Sequence, residues 1–363
     1  KVELDEHCSH GSFVAPHMFE IDSLDQLTEE VFGPILHVIR YSSDQLGAVI
    51  EQINNTGYGL TLGIHSRIEA FADTVFRKTI AGNTYINRNM VGAVVGVNPF
   101  GGRGLSGTGP KAGGPNYLLR FSTTRAKVAY KKPFAIALND QQAPDPSAVI
   151  QALKAMPKWQ SAPIDSRLSI IGKALSQQNW TDFFTAIETI ARQKLAQPMQ
   201  LPGPTGEDNK LSLHGRGIML LLVTDGDSSS KAEQQIATAL LCGCPLIVCA
   251  DTSHRRSLEA IQLAYNAAGL DKRLLQIEPL EHLSGLLQHS SIEGLVANSL
   301  NTDSSALRQI MAQRTGSIIP LIEWPENNQS FTYHWLLWFL SERTRTENLV
   351  ARGGNTQLFN LPE

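Results

Sequence analysis

The sequence predicts an α/β protein made of two units, and three observations carry that prediction. Short apolar runs alternate with amphipathic stretches from residue 18 to residue 95, the pattern of a parallel sheet covered by helices. The same alternation returns between Gly217 and Ala250, after a long helical region. The chain has 363 residues, more than one ordinary domain needs. With 31 basic and 34 acidic side chains the net charge is −3, and 42% of residues are hydrophobic against 18% charged. That balance supports a buried core and excludes a disordered or fibrous chain. It leaves no basic excess to neutralise phosphates, so nucleic acid is not an expected partner. The longest purely apolar runs, Ile218–Val223 and Trp335–Leu340, fall far short of the roughly 20 residues that span a bilayer. No transmembrane segment is expected.

The chain opens Lys1-Val-Glu-Leu-Asp-Glu6, with neither an initiator Met nor a signal peptide's apolar core, and reads as a fragment of a longer protein. Pro34–Ile39 is expected as a strand. Ser43–Asn54 follows as a capped helix with Leu46, Val49, Ile50 and Ile53 on one face. Asn55–Gly59 turns into a second strand, Leu60–Ile64; Arg67–Thr79 has helical spacing, and Gly82–Asn87 returns to strand. From Asn98 to Gly114, seven glycines (Gly101, Gly102, Gly104, Gly107, Gly109, Gly113, Gly114) mark a loop. Residues 122–138 look like an extended β segment, and Asn139–Ser147 is a linker. Ala148–Gln197 is expected to be largely helical, and Pro202–Gly206 a loop. Gly217–Thr224, Lys231–Leu241 and Pro245–Ala250 then form a second β-α-β unit.

Two patterns invite chemistry that the rest of the sequence does not support. Cys242, Cys244 and Cys249 could begin a zinc site, but only His254 lies nearby as a fourth ligand. A buried strand at Pro245–Cys249 with thiols as small hydrophobes is the favoured reading, and no metal is expected. With Cys8 the cysteines number four, too few and too clustered for a disulfide framework, so a reducing compartment is expected. Gly102, Gly104 and Gly107 spell G-x-G-x-x-G. Pro99-Phe100 interrupts the strand that should precede it, and no acid occurs between Asp73 and Asp140 to hold a ribose. The dinucleotide reading fails.

What the loop does match is longer. Asn98-Pro-Phe-Gly-Gly-Arg-Gly-Leu-Ser-Gly-Thr-Gly109 follows Glu30-Val-Phe-Gly-Pro34, Asn55-Thr-Gly-Tyr-Gly-Leu60 and Ala81-Gly-Asn-Thr-Tyr-Ile-Asn87. In that order these motifs resemble the C-terminal part of the catalytic domain of the aldehyde dehydrogenase family. Val91–Gly96 and Lys111–Arg120 resemble its L-glutamate γ-semialdehyde dehydrogenase branch. Ser341-Glu-Arg-Thr-Arg-Thr346 with Ala351-Arg-Gly-Gly-Asn355 is similar to the C-terminal motif of long members of the proline utilization A family. Those bacterial proteins join an FAD-dependent proline dehydrogenase to the semialdehyde dehydrogenase.

The resemblance implies NAD as cofactor of this part and FAD in a domain absent from this chain. It implies L-glutamate γ-semialdehyde as substrate, a homodimer, and a cytoplasmic location with peripheral inner-membrane attachment through the flavin domain. Glu30 matches the carboxylate that hydrogen-bonds the nicotinamide ribose, and Phe32 the ring beside the nicotinamide; an anionic acceptor suits two vicinal hydroxyls. A solvated turn carboxylate is the plainer alternative, and it fits Glu29 better. Gly92 and Ala93 match the loop whose backbone N–H groups receive the substrate α-carboxylate. Phe100 matches the aromatic wall of the aldehyde tunnel, although an aromatic at this spacing reads equally as core. The family's nucleophilic cysteine and general-base glutamate lie upstream of the ribose-binding Glu. Cys8 is too close to Glu30 and lacks the surrounding motif, so it is expected as an exposed, non-catalytic thiol, with no catalytic residue in this chain.

Residues beyond 148 resemble the same family's N-terminal half in damaged form. Leu153–Trp159 and Ser166–Gly172 resemble its opening helices, and Gly215–Asp251 its first cofactor-domain β-α-β. The family lysine for the adenosine ribose is replaced by Cys249-Ala-Asp251, and the phosphate turn by Asn298–Thr302. Glu323 is followed by Trp324 and Pro325 instead of two glycines. The expected architecture is therefore the end of an aldehyde dehydrogenase catalytic domain (1–121) with a β-flap and linker (122–147). A degenerate, Rossmann-type aldehyde dehydrogenase-like domain without an active site (148–363) completes it. Trp335–Leu340 and the alternating Arg343–Thr346 are expected to dock on the flap. The parent would oxidise proline to glutamate; the rival reading is a non-catalytic assembly or lid module that promotes oligomerisation and substrate channelling.

Overall fold

The structure, a computed structural model, describes residues 3–121, 146–175, 180–224, 227–298, 304–324 and 332–350. The expected flap and nearly all of the linker lie outside the described residues. The first unit begins with a parallel pair, β1 (His17–Glu20) and β2 (Ile35–Val38), in which His17 stands opposite Ile35. A 3₁₀ turn at Ser43–Gln45 leads into α1 (Leu46–Asn55), and the Ser42 amide donates to Gln45 Oε1 at 3.1 Å, half of a capping box. There follow β3 (Tyr58–Gly59), β4 (Thr61–Ile64), α2 (Glu69–Lys78), β5 (Asn83–Ile86) and β6 (Arg103–Gly104). β4 and β5 pair in parallel, and α1 and α2 bury Ile50, Ala72 and Val75 against Ile64 and Ile86. The glycine-rich loop closes on itself. Gly104 has φ +61°, and a Cβ there would stand 2.3 Å from the Gly57 carbonyl, which explains the glycine without any phosphate.

The second unit opens with α3 (Ser147–Gln160), α4 (Ile164–Leu175) and α5 (Thr181–Lys194). A hairpin of β7 (Met199–Leu201) and β8 (Glu207–Gly215) leads to β9 (Ile218–Val223), α6 (Ser229–Leu241), β10 (Leu246–Ala250) and α7 (Thr252–Ala267). Then come β11 (Leu275–Pro279), α8 (Leu283–Gln288), β12 (Ile292–Asn298), α9 (Ser304–Ala312) and β13 (Leu321–Trp324). The five strands from β9 to β13 form one parallel sheet in the order β11-β10-β9-β12-β13, a doubly wound arrangement. β9 reads as an unbroken apolar run because both its faces are covered. Met219, Leu221 and Val223 join one core with α4, α6 and α7, while Ile218, Leu220 and Leu222 join another with α3 and α8. Cys242, Cys244 and Cys249 are buried in these cores, Cys249 on β10.

The chain ends, as far as it is described, with α10 (Tyr333–Leu337) and β14 (Leu340–Asn348). β14 belongs to neither unit's sheet alone. A second five-stranded sheet runs β4-β5-β14-β8-β7, with β14 parallel to β5 (Thr344 opposite Asn83) and antiparallel to β8 (Leu340 opposite Gly215). The flap on which Trp335–Thr346 is expected to dock lies outside the described residues; residues 340–348 are inserted between β5 and β8, where two strand edges need hydrogen-bond partners. Among the described residues no helix is long and apolar enough to cross a membrane.

Candidate active-site face at the junction

The residues singled out for binding sit on two segments of the first unit. Glu30 and Phe32 lie between a 3₁₀ turn at Leu24–Gln26 and β2. Glu30 is exposed and its carboxylate has no partner among the described residues; Phe32 is 96% exposed. Gly92, Ala93 and Phe100 lie on the loop after β5. Gly92 has φ +79°, a turn that a side chain would strain. The amides of Gly92 and Ala93 have no partner among the described residues, while the neighbouring Val94 amide is taken by Asn98 Oδ1 at 3.3 Å. Phe100 is half-buried and exchanges two backbone hydrogen bonds with Ala112, at 3.0 and 2.9 Å. No hydrogen bond, ion pair or strand pairing links the 30–32 segment to the 91–101 loop among the described residues. Cys8, expected exposed, is half-buried and lies in a 3₁₀ turn at Glu6–His10 that Asp5 caps by accepting from the His7 amide.

The second unit holds the loop that carries Phe100. Asn98, buried, donates from Nδ2 to Asn209 Oδ1 on β8 (2.9 Å) and to the Thr346 hydroxyl on β14 (3.1 Å). Thr344 donates to the Pro99 carbonyl at 3.4 Å and to Asn83 Oδ1 at 3.0 Å. Glu342 accepts from the Lys111 amide at 2.5 Å and from Asn116 Nδ2 at 2.7 Å. Lys111 is 2% exposed and its ammonium donates to Asn83 Oδ1 and the Gly101 carbonyl. Burial holds its pKa down at about 7; Glu342 opposes the shift, and Arg343 and Arg103 add to it. Arg343 stacks on Phe76, 4.3 Å from the ring centroid, and donates to the Phe76 and Ala81 carbonyls at the end of α2. Arg345 pairs with Asp73 of α2 at 2.6 Å. Sequence reasoning missed Asn98, Lys111, Asn209 and Glu342, whose partners lie far away along the chain and leave no local pattern.

In the second unit the crevice at the C-terminal ends of β9 and β12 is filled from within. Asp227 accepts from the Thr224 amide at 2.7 Å and from Asn298 Nδ2 at 2.5 Å. His254 lies between Asp251 Oδ1 (2.8 Å) and the Asp227 carbonyl (3.0 Å), and Asp251 caps α7. Glu323 on β13 accepts from Arg308 at 2.8 Å. Burial pushes the Cys242, Cys244 and Cys249 thiols up, so none of them is a poised nucleophile. No cluster of metal-ligating side chains occurs among the described residues.

Comparison with known proteins shows which of them the chain is similar to. Residues 1–127 match the model of the aldehyde dehydrogenase family. Over 97% of its length the chain is 35% identical to the bifunctional protein PutA of Escherichia coli strain K12, covering 24% of that protein. The chain spans about a quarter of the length of the curated PutA relatives it matches. Over 112 residues (30% of the chain) it is 41% identical to 1-pyrroline-5-carboxylate dehydrogenase of Bacillus licheniformis, covering 21% of that protein. Among solved structures, proline utilization A from Corynebacterium freiburgense superposes with a TM-score of 0.51 at 21% identity. That superposition covers 88% of this chain and 26% of that one, a likeness of fold.

Proposed function

We propose that this chain is the C-terminal part of a bifunctional, proline-oxidising enzyme. It would supply the end of an NAD-dependent L-glutamate γ-semialdehyde dehydrogenase unit and a non-catalytic lid. The observation that carries this reading is β14, which joins the first unit's sheet while Thr344 and Thr346 hold Pro99 and Asn98 next to Phe100. The residues present fit NAD and the semialdehyde. Glu30 offers two free acceptor oxygens to a ribose diol, and Phe32 an exposed ring to the nicotinamide. The Gly92 and Ala93 amides are donors for the substrate α-carboxylate, and Phe100 is an apolar wall for its chain. When bound, NAD supplies the hydride acceptor for the aldehyde carbon. The nucleophilic thiolate, the general base and the FAD-bearing proline dehydrogenase belong to preceding sequence in a cytoplasmic, homodimeric parent. The lid keeps a reactive intermediate from solvent and supports assembly and channelling.

The test is a truncation after Trp338 in that parent, which removes β14. NADH formation from the semialdehyde and coupled proline-to-glutamate flux should fall, with proline oxidation comparatively intact. Channelling equal to that of the full protein would refute the lid. The chain alone should form no NADH; turnover that disappears in Cys8→Ala would show that the nucleophile lies here.

A further inference from the structure

Positive charge at the junction exceeds what the protein itself balances. Arg103 and Lys111 come from the glycine-rich loop, Arg216 from the end of β8, Arg314 from the segment after α9, and Arg343 from β14. The carboxylates coupled to this group are Glu293 at the start of β12 and Glu342 on β14. Among the described residues none of the five cations forms an ion pair within 4.0 Å. They donate to neutral groups instead: Arg103 to the Arg216 carbonyl at 3.1 Å, Arg216 to the carbonyls of Trp338 (2.8 Å) and Thr108 (3.3 Å). Arg314 likewise donates to the Ile292 carbonyl at 3.2 Å, and its Nε and Nη1 are buried without a partner. Carbonyls orient a guanidinium but leave its charge uncompensated, a cost that grows with burial, which is nearly complete at Lys111 and Arg343 and partial at Arg103, Arg216 and Arg314. Burial, the leading cause, holds all five pKa values down, that of Arg216 to about 10 and that of Arg343 to about 9. Repulsion from Arg103 adds to the shift of Lys111, Arg216 and Arg343.

A cavity of about 30 Å³ opens in this group. Its wall includes Arg103, Lys111, Arg216, Glu293, Ser341 and Glu342, three cations against two carboxylates. Glu342 has both oxygens engaged by the Lys111 amide and Asn116, so it faces the cavity already satisfied. Ser341 is buried, and its hydroxyl has no partner among the described residues. A volume of this size admits about one or two water-sized bodies, too little for a tetrahedral oxyanion.

We propose that this cavity binds one small monovalent anion of halide size, held by Arg103, Arg216 and the Ser341 hydroxyl, and that the anion fastens the two units together. Below about pH 7, where Lys111 keeps its proton, the two wall carboxylates limit the accepted charge to one. None of Glu30, Phe32, Gly92, Ala93 and Phe100 lines this cavity, and the anion site stands or falls independently of the proposed enzyme activity.

The experiment is thermal unfolding of the full chain at pH 6 and constant ionic strength as gluconate, too large for the cavity, is exchanged for chloride or bromide. Crystals soaked in bromide are examined by anomalous scattering. Chloride and bromide should raise the unfolding temperature along a saturating curve, and a bromide peak should lie beside Arg103 and Ser341. Ser341→Ala, which removes one small hydroxyl, should leave the gluconate value unchanged and raise the half-saturating chloride concentration several-fold. Equal unfolding temperatures in all three anions, or bromide peaks confined to the surface, would mean that the cavity holds water only and would overturn the proposal.

Discussion

β9 in the second unit buries side chains on both faces, and helices close over each side of its parallel sheet. In the first unit β4 and β5 share a core with only five buried side chains, and Phe32, Val91 and Val95 stand in solvent. The difference lies in what each sheet needs from elsewhere. The β9–β13 sheet is assembled from one continuous stretch of chain. The β4–β5 pair has an open edge that, among the described residues, is satisfied by β14, more than 250 residues later by sequence number. A unit with little core of its own is held by backbone pairing and buried polar contacts, and those are directional.

The contrast can be attacked first in the larger core. Leu221 is fully buried on β9, and Leu221→Ala should cost 2–5 kcal/mol, roughly the usual range for such cavities, read from urea unfolding. A loss under about 1 kcal/mol would mean that the β9 core collapses onto the gap far better than most.

At the junction, Lys111 gives a pH signature. The unfolded chain keeps its proton up to about 10.5, whereas the folded chain releases it near 7. Between these values the unfolded state binds more protons, so stability should rise as pH rises through that window, by on the order of a few kcal/mol. Lys111→Met should flatten that rise, and a slope unchanged by the substitution would assign it to other groups.

Asn209→Ala removes one of two acceptors for the buried Asn98 amide and should cost about 1–3 kcal/mol. Its mark should be faster hydrogen exchange around residues 94–101 and 344–346, with β10 unaffected. The smallest effect on stability belongs to Glu30→Gln, within about 0.5 kcal/mol, because the side chain is exposed and unpartnered. In the proposed parent the same change should weaken the ribose contact by about 1.5–3 kcal/mol. Unchanged kinetics together with an unchanged NAD dissociation constant would remove Glu30 from that role.

Much of this architecture is written locally. Leu46, Val49, Ile50 and Ile53 announce α1, and the apolar run at 218–223 announces a central strand, because periodicity and burial share one cause. The glycines at 102, 104 and 107 could be dismissed as a nucleotide loop from their neighbours alone. β8 was harder to see: Glu207-Asp-Asn-Lys-Leu-Ser-Leu-His-Gly215 has too many polar residues for a strand signal, yet Asn209 is buried by its bond to Asn98. Cys8 looked like a thiol in solvent, and the structure has it half-buried within a capped 3₁₀ turn.

By itself the sequence determined the α/β class, the apolar strands and the motifs within residues 1–121 that resemble aldehyde dehydrogenases, a likeness that the family model finds over residues 1–127. Tertiary structure alone decided the fate of Ser341–Thr346. Arg343-Thr-Arg-Thr346 alternates charged with neutral residues, as a strand with one face in water would, but seven of the nine strand positions are buried and the other two, Arg345 and Asn348, are half-buried. Glu342 and Arg343 are tolerated inside because the Lys111 amide, Asn116 and the carbonyls ending α2 come to meet them. Each partner lies more than 220 residues away in sequence number, and a hydrogen bond between such distant groups leaves no trace in the local pattern of either.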